Sequence, residues 1–155
     1  MSEQENVARL QRLLEEGFSK GNLSVLDELM ATDCIEHQRG NMPGAEGAKN
    51  TVTTLHRWMS DFQLRIVDIA ASGDKVWSLN RASGVNTGSV MGNPPTGKKV
   101  EVDVVDIVRF RDGKVVEHWG VADQLGVMIQ LGVVPGSQPG GTRRPRAASE
   151  VGAER

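Results

Sequence analysis

Between Lys99 and Arg111 one acid interrupts an otherwise apolar row. The even positions are Val100, Val102, Val104, Asp106, Val108 and Phe110; the odd positions are Glu101, Asp103, Val105, Ile107, Arg109 and Arg111. Successive strand side chains point to opposite faces, so this pattern predicts a strand with one apolar face and Asp106 in the middle of it. Arg111-Asp112-Gly113-Lys114 has the chemistry of a tight hairpin turn. The returning strand, Val115 to Ala122, is expected to carry Val116, His118 and Gly120 on the same face. A carboxylate among valines costs several kcal/mol unless it is paired or protonated. A chain that places one there is expected to use it, together with His118, as an acid/base pair.

Upstream of the hairpin the period changes. Val7, Leu10, Leu13, Leu14 and Phe18 recur at helical spacing, which predicts an amphipathic helix over about residues 3–19, ended by Lys20-Gly21-Asn22. Asn22 or Ser24 can cap a second helix carrying Leu23, Leu26, Leu29 and Met30. Cys34 to His37 reads as a short extended piece, residues 38–44 as a loop, and about 45–60 as a third helix. Strands are expected over 63–71 and 75–85, separated by the turn Ser72-Gly73-Asp74. Gly92, Pro94, Pro95 and Gly97 require a loop over 88–97. Asp123 can cap a last short helix, which Gly132 stops. Helices first and curved antiparallel strands afterwards predict an α+β domain over residues 1–134. Three helices folded over such a sheet make a cone-shaped barrel enclosing a cavity, which is the natural ligand site. The segment 135–155 is rich in Pro, Gly, Arg, Ser and Ala and is expected to be a disordered tail.

The formal charge is −2, and the tail holds four arginines against two glutamates, so the body is more acidic still. That excludes an electrostatic footprint for nucleic acid or an anionic membrane. The N-terminus carries no apolar signal segment and no run approaches a membrane span, which predicts a cytoplasmic protein. The single cysteine, Cys34, excludes an intrachain disulfide and is expected to pack rather than react. No His, Cys or carboxylate positions show metal-ligand spacing.

Three segments carry a resemblance. Gly92-Asn93-Pro94-Pro95-Thr96-Gly97, the run Arg109 to Trp119, and Gln130-Leu131-Gly132 are similar to motifs of the SnoaL-like polyketide cyclases, over about residues 5–134. The resemblance implies a nuclear-transport-factor-like α+β barrel, usually oligomeric, without a cofactor. It also implies an intramolecular aldol ring closure in aromatic polyketide (antibiotic) biosynthesis, run by a carboxylate and a histidine in an apolar cavity. Aligned on Asp112-Gly113-Lys114, the family's catalytic histidine falls on Asp106, its catalytic aspartate falls on Gly120, and His118 matches a family histidine. The expected catalytic set is therefore Asp106 and His118, with Asp123 as a further acid. His37 and Asn86 stand where pocket-facing residues are usual, and Arg81, Trp119 and Gly120 complete the expected substrate-binding set. Trp119, on the opposite strand face from His118, also suits packing. The expected function is a cofactor-free cyclase acting on a hydrophobic polyketide-type intermediate, by aldol chemistry or a shape-driven cycloaddition. The alternatives are a non-catalytic binder of a small apolar ligand, or an epoxide hydrolase or isomerase. Hydrolases of that kind use an Arg-x-Asp on a strand, whereas Arg81 is followed by Ala82 and Ser83.

Overall fold

The computed structural model describes residues 1–136. The expected tail beyond Gly136 lies outside the described residues.

Helix α1 (Glu3–Arg12) begins at a capping box: Glu5 N–H donates to Ser2 Oγ, and Ser2 N–H donates back to Glu5 Oε2 at 2.7 Å. It runs on as a π-helical segment over Leu13–Ser19. The wider turn sets Gly17 against the side chain of Leu26 in α2 (Leu23–Leu29). Asn22 precedes α2 without capping it, because its side-chain oxygen is taken by the Ser24 hydroxyl at 2.7 Å. Strand β1 (Met30–Glu36) follows, then α3 (Gly44–Trp58). The remaining elements are β2 (Met59–Ser72), β3 (Lys75–Asn86), β4 (Lys99–Arg111), β5 (Lys114–Ala122) and α4 (Gln124–Leu131). Asp112 and Gly113 both have positive φ, 50° and 78°, as the two-residue hairpin turn requires.

The fold is α+β as expected: helices pack on one five-stranded curved sheet of order β1-β5-β4-β3-β2. Two features go beyond the sequence reading. The sheet is not wholly antiparallel, because β1 joins β5 in parallel. Nor is it closed, since β1 and β2 are both edges. Register shifts in three of the four strand pairs, including two between β2 and β3, give the bends.

The inward face carries the core. Leu10, Leu13, Leu14, Val25, Leu26 and Leu29 from the helices meet Val76, Val108, Phe110 and Val115 from the sheet. Burying each such side chain contributes about 1.5–3 kcal/mol. A register shift between Arg109 and Phe110 pairs Phe110 with Val115, which is fully buried, where the uninterrupted alternation expected Val116. The bulge ends there, and beyond it His118 and Gly120 face inward as expected. A smaller cluster of Val90, Val100 and Leu131 ties α4 to the loop before β4.

Candidate active site

Asp106 sits in the inward row of β4 and is 8% exposed. Its pairing partners are Ser78 in β3 and Gly120 in β5. His118 pairs with Val108, one inward position along, so its ring reaches diagonally and Nε2 lies 3.0 Å from Asp106 Oδ1. The other ring nitrogen, Nδ1, lies 2.9 Å from both carboxylate oxygens of Glu36, which pairs with His118 across the parallel β1–β5 ladder. Asn80 donates to the second oxygen of Asp106, Oδ2, at 2.7 Å and to Ser78 Oγ at 2.9 Å. Gln38 N–H donates to Glu36 Oε1 at 2.7 Å. One connected polar chain thus crosses β3, β4, β5 and β1 on the buried face.

Two carboxylates flank one imidazole, so the ring is a donor on both sides. Burial works against the charged ring, yet the hydrogen bonds to Asp106 and Glu36 outweigh it and push His118 from 6.5 up to about 9. Burial likewise opposes ionisation of Glu36, but the bonds from His118 and from the Gln38 amide hold its carboxyl below the usual 4.5. At neutral pH the ring is therefore imidazolium and Glu36 is carboxylate. Such a unit can accept a proton at a carboxylate and donate one from the ring. Access to it is narrow: the side chains of Asp106 and His118 keep 12% and 16% of their exposure. Two surface concavities, of about 160 Å³ beside Asn6 and Phe110 and about 350 Å³ beside Ala8 and Arg12, lie at the α1 end and contain neither residue.

The other expected site residues lie apart from this chain. His37 is one residue out of phase with Glu36 and lies on the outer face of the sheet. There it stacks on Trp119 (4.8 Å between centroids, 7° between planes) and bonds Glu117 at 2.9 Å. Lys75 and Arg109 cover the same indole, at 5.1 and 5.7 Å from its ring centre. Arg81 is also on the outer face, in a two-pronged pair with Asp103 at 2.8 and 3.3 Å. The residue on which the hydrolase alternative rested therefore faces away from Asp106. Asn86 faces inward, but its amide is fully engaged. It donates to Trp58 O and Gly88 O, and it accepts from Thr96 N–H and Oγ–H, stapling both ends of the loop between β3 and β4. Asp123 caps α4 by accepting from Gly126 N–H at 2.8 Å and makes no hydrogen bond to Asp106 or His118. Cys34 is buried, and burial together with nearby carboxylates pushes its thiol up to about 11, far from a reactive thiolate. Among the described residues no three His, Cys, Asp or Glu side chains converge to hold a metal ion, and no helix is long and apolar enough to cross a membrane.

Sequence reasoning missed Ser78, Asn80, Glu36 and Gln38. The first two carry a signal of the same kind as Asp106, being polar residues between Val76 and Ala82 in an inward row.

Helices packed on one curved, open five-stranded sheet define an α+β fold, and the comparisons agree with it. Residues 8–131 match the SnoaL-like polyketide cyclase family, and the chain belongs to it. The aklanonic acid methyl ester cyclase DauD of Streptomyces sp. (strain C5) is 26% identical over 129 residues, covering 79% of this chain and 80% of that protein. DnrD of Streptomyces peucetius, a cyclase of the same name, is also 26% identical over 129 residues, 79% of this chain and 88% of its own. Among solved structures, IdmH from Streptomyces antibioticus superposes with a TM-score of 0.71 at 31% identity, covering 83% of this chain and 99% of that one. TsrD from Streptomyces laurentii is alike in fold, with a TM-score of 0.79 at 24% identity over 86% of this chain and 99% of that one.

Proposed function

We propose that this protein is a cofactor-free cyclase that closes a ring in a hydrophobic polyketide-type intermediate by acid/base chemistry at Asp106, His118 and Glu36. The observation that carries the reading is the 3.0 Å contact between His118 Nε2 and Asp106 Oδ1 on the buried face, with Glu36 on the other ring nitrogen. In an aldol closure, Asp106 takes the proton from a carbon flanked by carbonyls. The resulting enolate carbon attacks a ketone in the same molecule, forming one C–C bond. The new alkoxide takes a proton from the His118 imidazolium, and the proton on Asp106 returns to the ring. Atoms balance without a second reactant, so the product has the mass of the substrate. Glu36 fixes the orientation of the ring through Nδ1 and favours its return to the charged form. The apolar inner row, Val102 and Val104 above all, supports a folded reactive conformer of the substrate.

Aklanonic acid methyl ester, the compound in the names of both curated relatives, is the first substrate to offer. Incubation with the wild type is expected to give a product of unchanged mass with one carbonyl fewer. Substrate that binds but returns intact, without exchanging its α-hydrogens in heavy water, would turn the reading to a binding protein.

We also propose that the protein works as a homodimer through the outer face of its sheet. Two registered rows, Trp77–Ile107–Trp119 and Leu79–Val105–Val121, form an apolar patch there. Val121 is 70% exposed and Val105 41%, more than an isolated sheet face in water comfortably leaves open. The patch is bounded at one end by Lys75, Arg109 and Glu117 and at the other by Arg81, Glu101 and Asp103. The first end is net positive and the second net negative, so a second copy rotated end for end is complementary. Sedimentation is expected to give the mass of two chains for the wild type and of one for Val121→Glu. A wild type that sediments as one chain at micromolar concentration would refute the dimer.

A further inference from the structure

Gly120 lies directly opposite Asp106, so a side chain there would project beside the acid/base chain. The space is already taken. A methyl group built on Gly120 would overlap Gln38 Oε1, lie 2.8 Å from Gln38 Cδ, and come within 2.9 Å of His118 Cε1. The carboxamide of Gln38 therefore fills the volume that a side chain at position 120 would use. It arrives from the loop after β1. That loop is fixed next to the site by the Gln38 N–H bond to Glu36 and by the Asn41 N–H bond to Gln38 O at 3.2 Å.

Gln38 is half-buried, and its carboxamide makes no hydrogen bond within the described residues. The other polar side chains of the chain across the sheet each bond a neighbour, Asn80 through its Nδ2 while its buried Oδ1 has no partner among the described residues. A half-buried amide with both its donors and its acceptor unspent, set against the edge of the catalytic ring, calls for a polar partner.

We propose that Gln38 is a substrate-contacting, specificity-determining residue, which binds a carbonyl or hydroxyl oxygen of the substrate over Gly120. This inference rests on the reading that the site takes an oxygen-rich cyclisation substrate. An amide neither gives nor takes a proton at neutral pH. The site then has a single proton-transferring unit and, next to it, a neutral dipole that selects and orients one substrate oxygen. Glycine at position 120 is the condition for this arrangement, because any larger residue pushes the carboxamide out.

The test is a double-mutant cycle on Gln38→Ala, Gly120→Ala and the combined variant, with aklanonic acid methyl ester as probe. Binding is followed by titration calorimetry and turnover by chromatography. Gln38 ends in a flexible side chain, so Gly120→Ala should fold by displacing it. Loss of one hydrogen bond to a substrate oxygen is expected to raise Kd and KM about tenfold in each single variant. The combined variant should be no worse than the poorer single one, because the methyl group then meets no carboxamide and only the His118 Cε1 contact at 2.9 Å is left, a cost that Gly120→Ala already carries. The His118 pH titration, read by NMR, should stay near its wild-type value in Gln38→Ala, which separates loss of a substrate contact from damage to the ring. Gln38→Ala within twofold of wild type in Kd, or losses that multiply in the combined variant, would overturn the proposal. Wild type that binds the probe without converting it would refute the cyclase reading alone, and the binding arm would still decide the role of Gln38. Wild type that does not bind the probe would overturn both readings.

Discussion

Asp106→Asn is expected to lower turnover by about 10²–10⁴-fold, the usual contribution of a positioned acid/base group, with little loss of folded structure. The substitution keeps the shape of the side chain. An amide at position 106 can still meet Asn80, which now bonds Oδ2 at 2.7 Å, and can turn its own N–H towards His118 Nε2. What it cannot do is take a proton from carbon. It also removes one of the two carboxylates that hold His118 charged, so the ring should titrate below the present value of about 9. Two measurements check this: initial rates on the cyclisation substrate, and the His118 ring resonances followed through pH. A variant that turns over within threefold of wild type would remove Asp106 from the chemistry, whatever the ring does.

Replacing His118 by leucine is expected to have the largest effect on stability. It leaves Glu36 and Asp106 facing each other on the buried side without the cation between them. Breaking a buried charge pair in this way typically costs about 3–5 kcal/mol. The loss should depend on pH in a definite direction. In the wild type the ring rises from 6.5 to about 9 on folding, so its stabilisation is fully present below pH 6.5 and is lost as pH climbs through 9. That rise corresponds to about 3 kcal/mol. Glu36 moves the opposite way: its carboxyl is lowered, so its stabilisation is present above 4.5 and is lost as pH falls further into acid. Wild-type stability in urea should therefore peak between roughly pH 5 and 6.5 and decline towards pH 10. In His118→Leu the alkaline decline due to the ring should vanish. The gap between the two proteins should be widest near pH 6, where the wild-type ring gives its full benefit. Parallel curves for the two proteins from pH 6 to 10 would mean that His118 does not carry the linkage.

How much of this was legible depends on how far apart in sequence the partners lie. Asp106 and His118 share a hairpin closed by Asp112-Gly113, so local alternation and one turn fix both their face and their proximity. Asn80 and Ser78 were within reach of the same reasoning. They escaped it because β3 is apolar on both faces, with Trp77 and Leu79 alternating against Val76 and Ala82, so the pattern alone does not say which row is inside. Glu36 was out of reach. It pairs with His118 through a parallel ladder that bridges 82 positions, and no local signal sets the phase of β1. An error of one residue exchanges the two faces of a strand, which is how His37 stood in for Glu36. Arg81 and Trp119 stand at odd positions of β3 and β5 and lie on the outer face, which for Trp119 the alternation with His118 already implies. Asn86 faces inward as its position suggests, but loop attachment uses its whole bonding capacity.

The polar chain from Ser78 to Glu36 also acts on assembly of the sheet. Four strands can shift along one another at little cost wherever only valines and alanines face inward, since one apolar pair resembles the next. Asn80, Asp106, His118 and Glu36 make one alignment unlike its neighbours. A slip of two residues in any of β3, β4, β5 or β1 would leave a charge or an amide buried without its partner. The atoms that would move protons are thus also the notches that set the strands against each other. A change of chemistry at this site therefore has to preserve an interlocking set of four strands, and single substitutions that improve one function are constrained by the other.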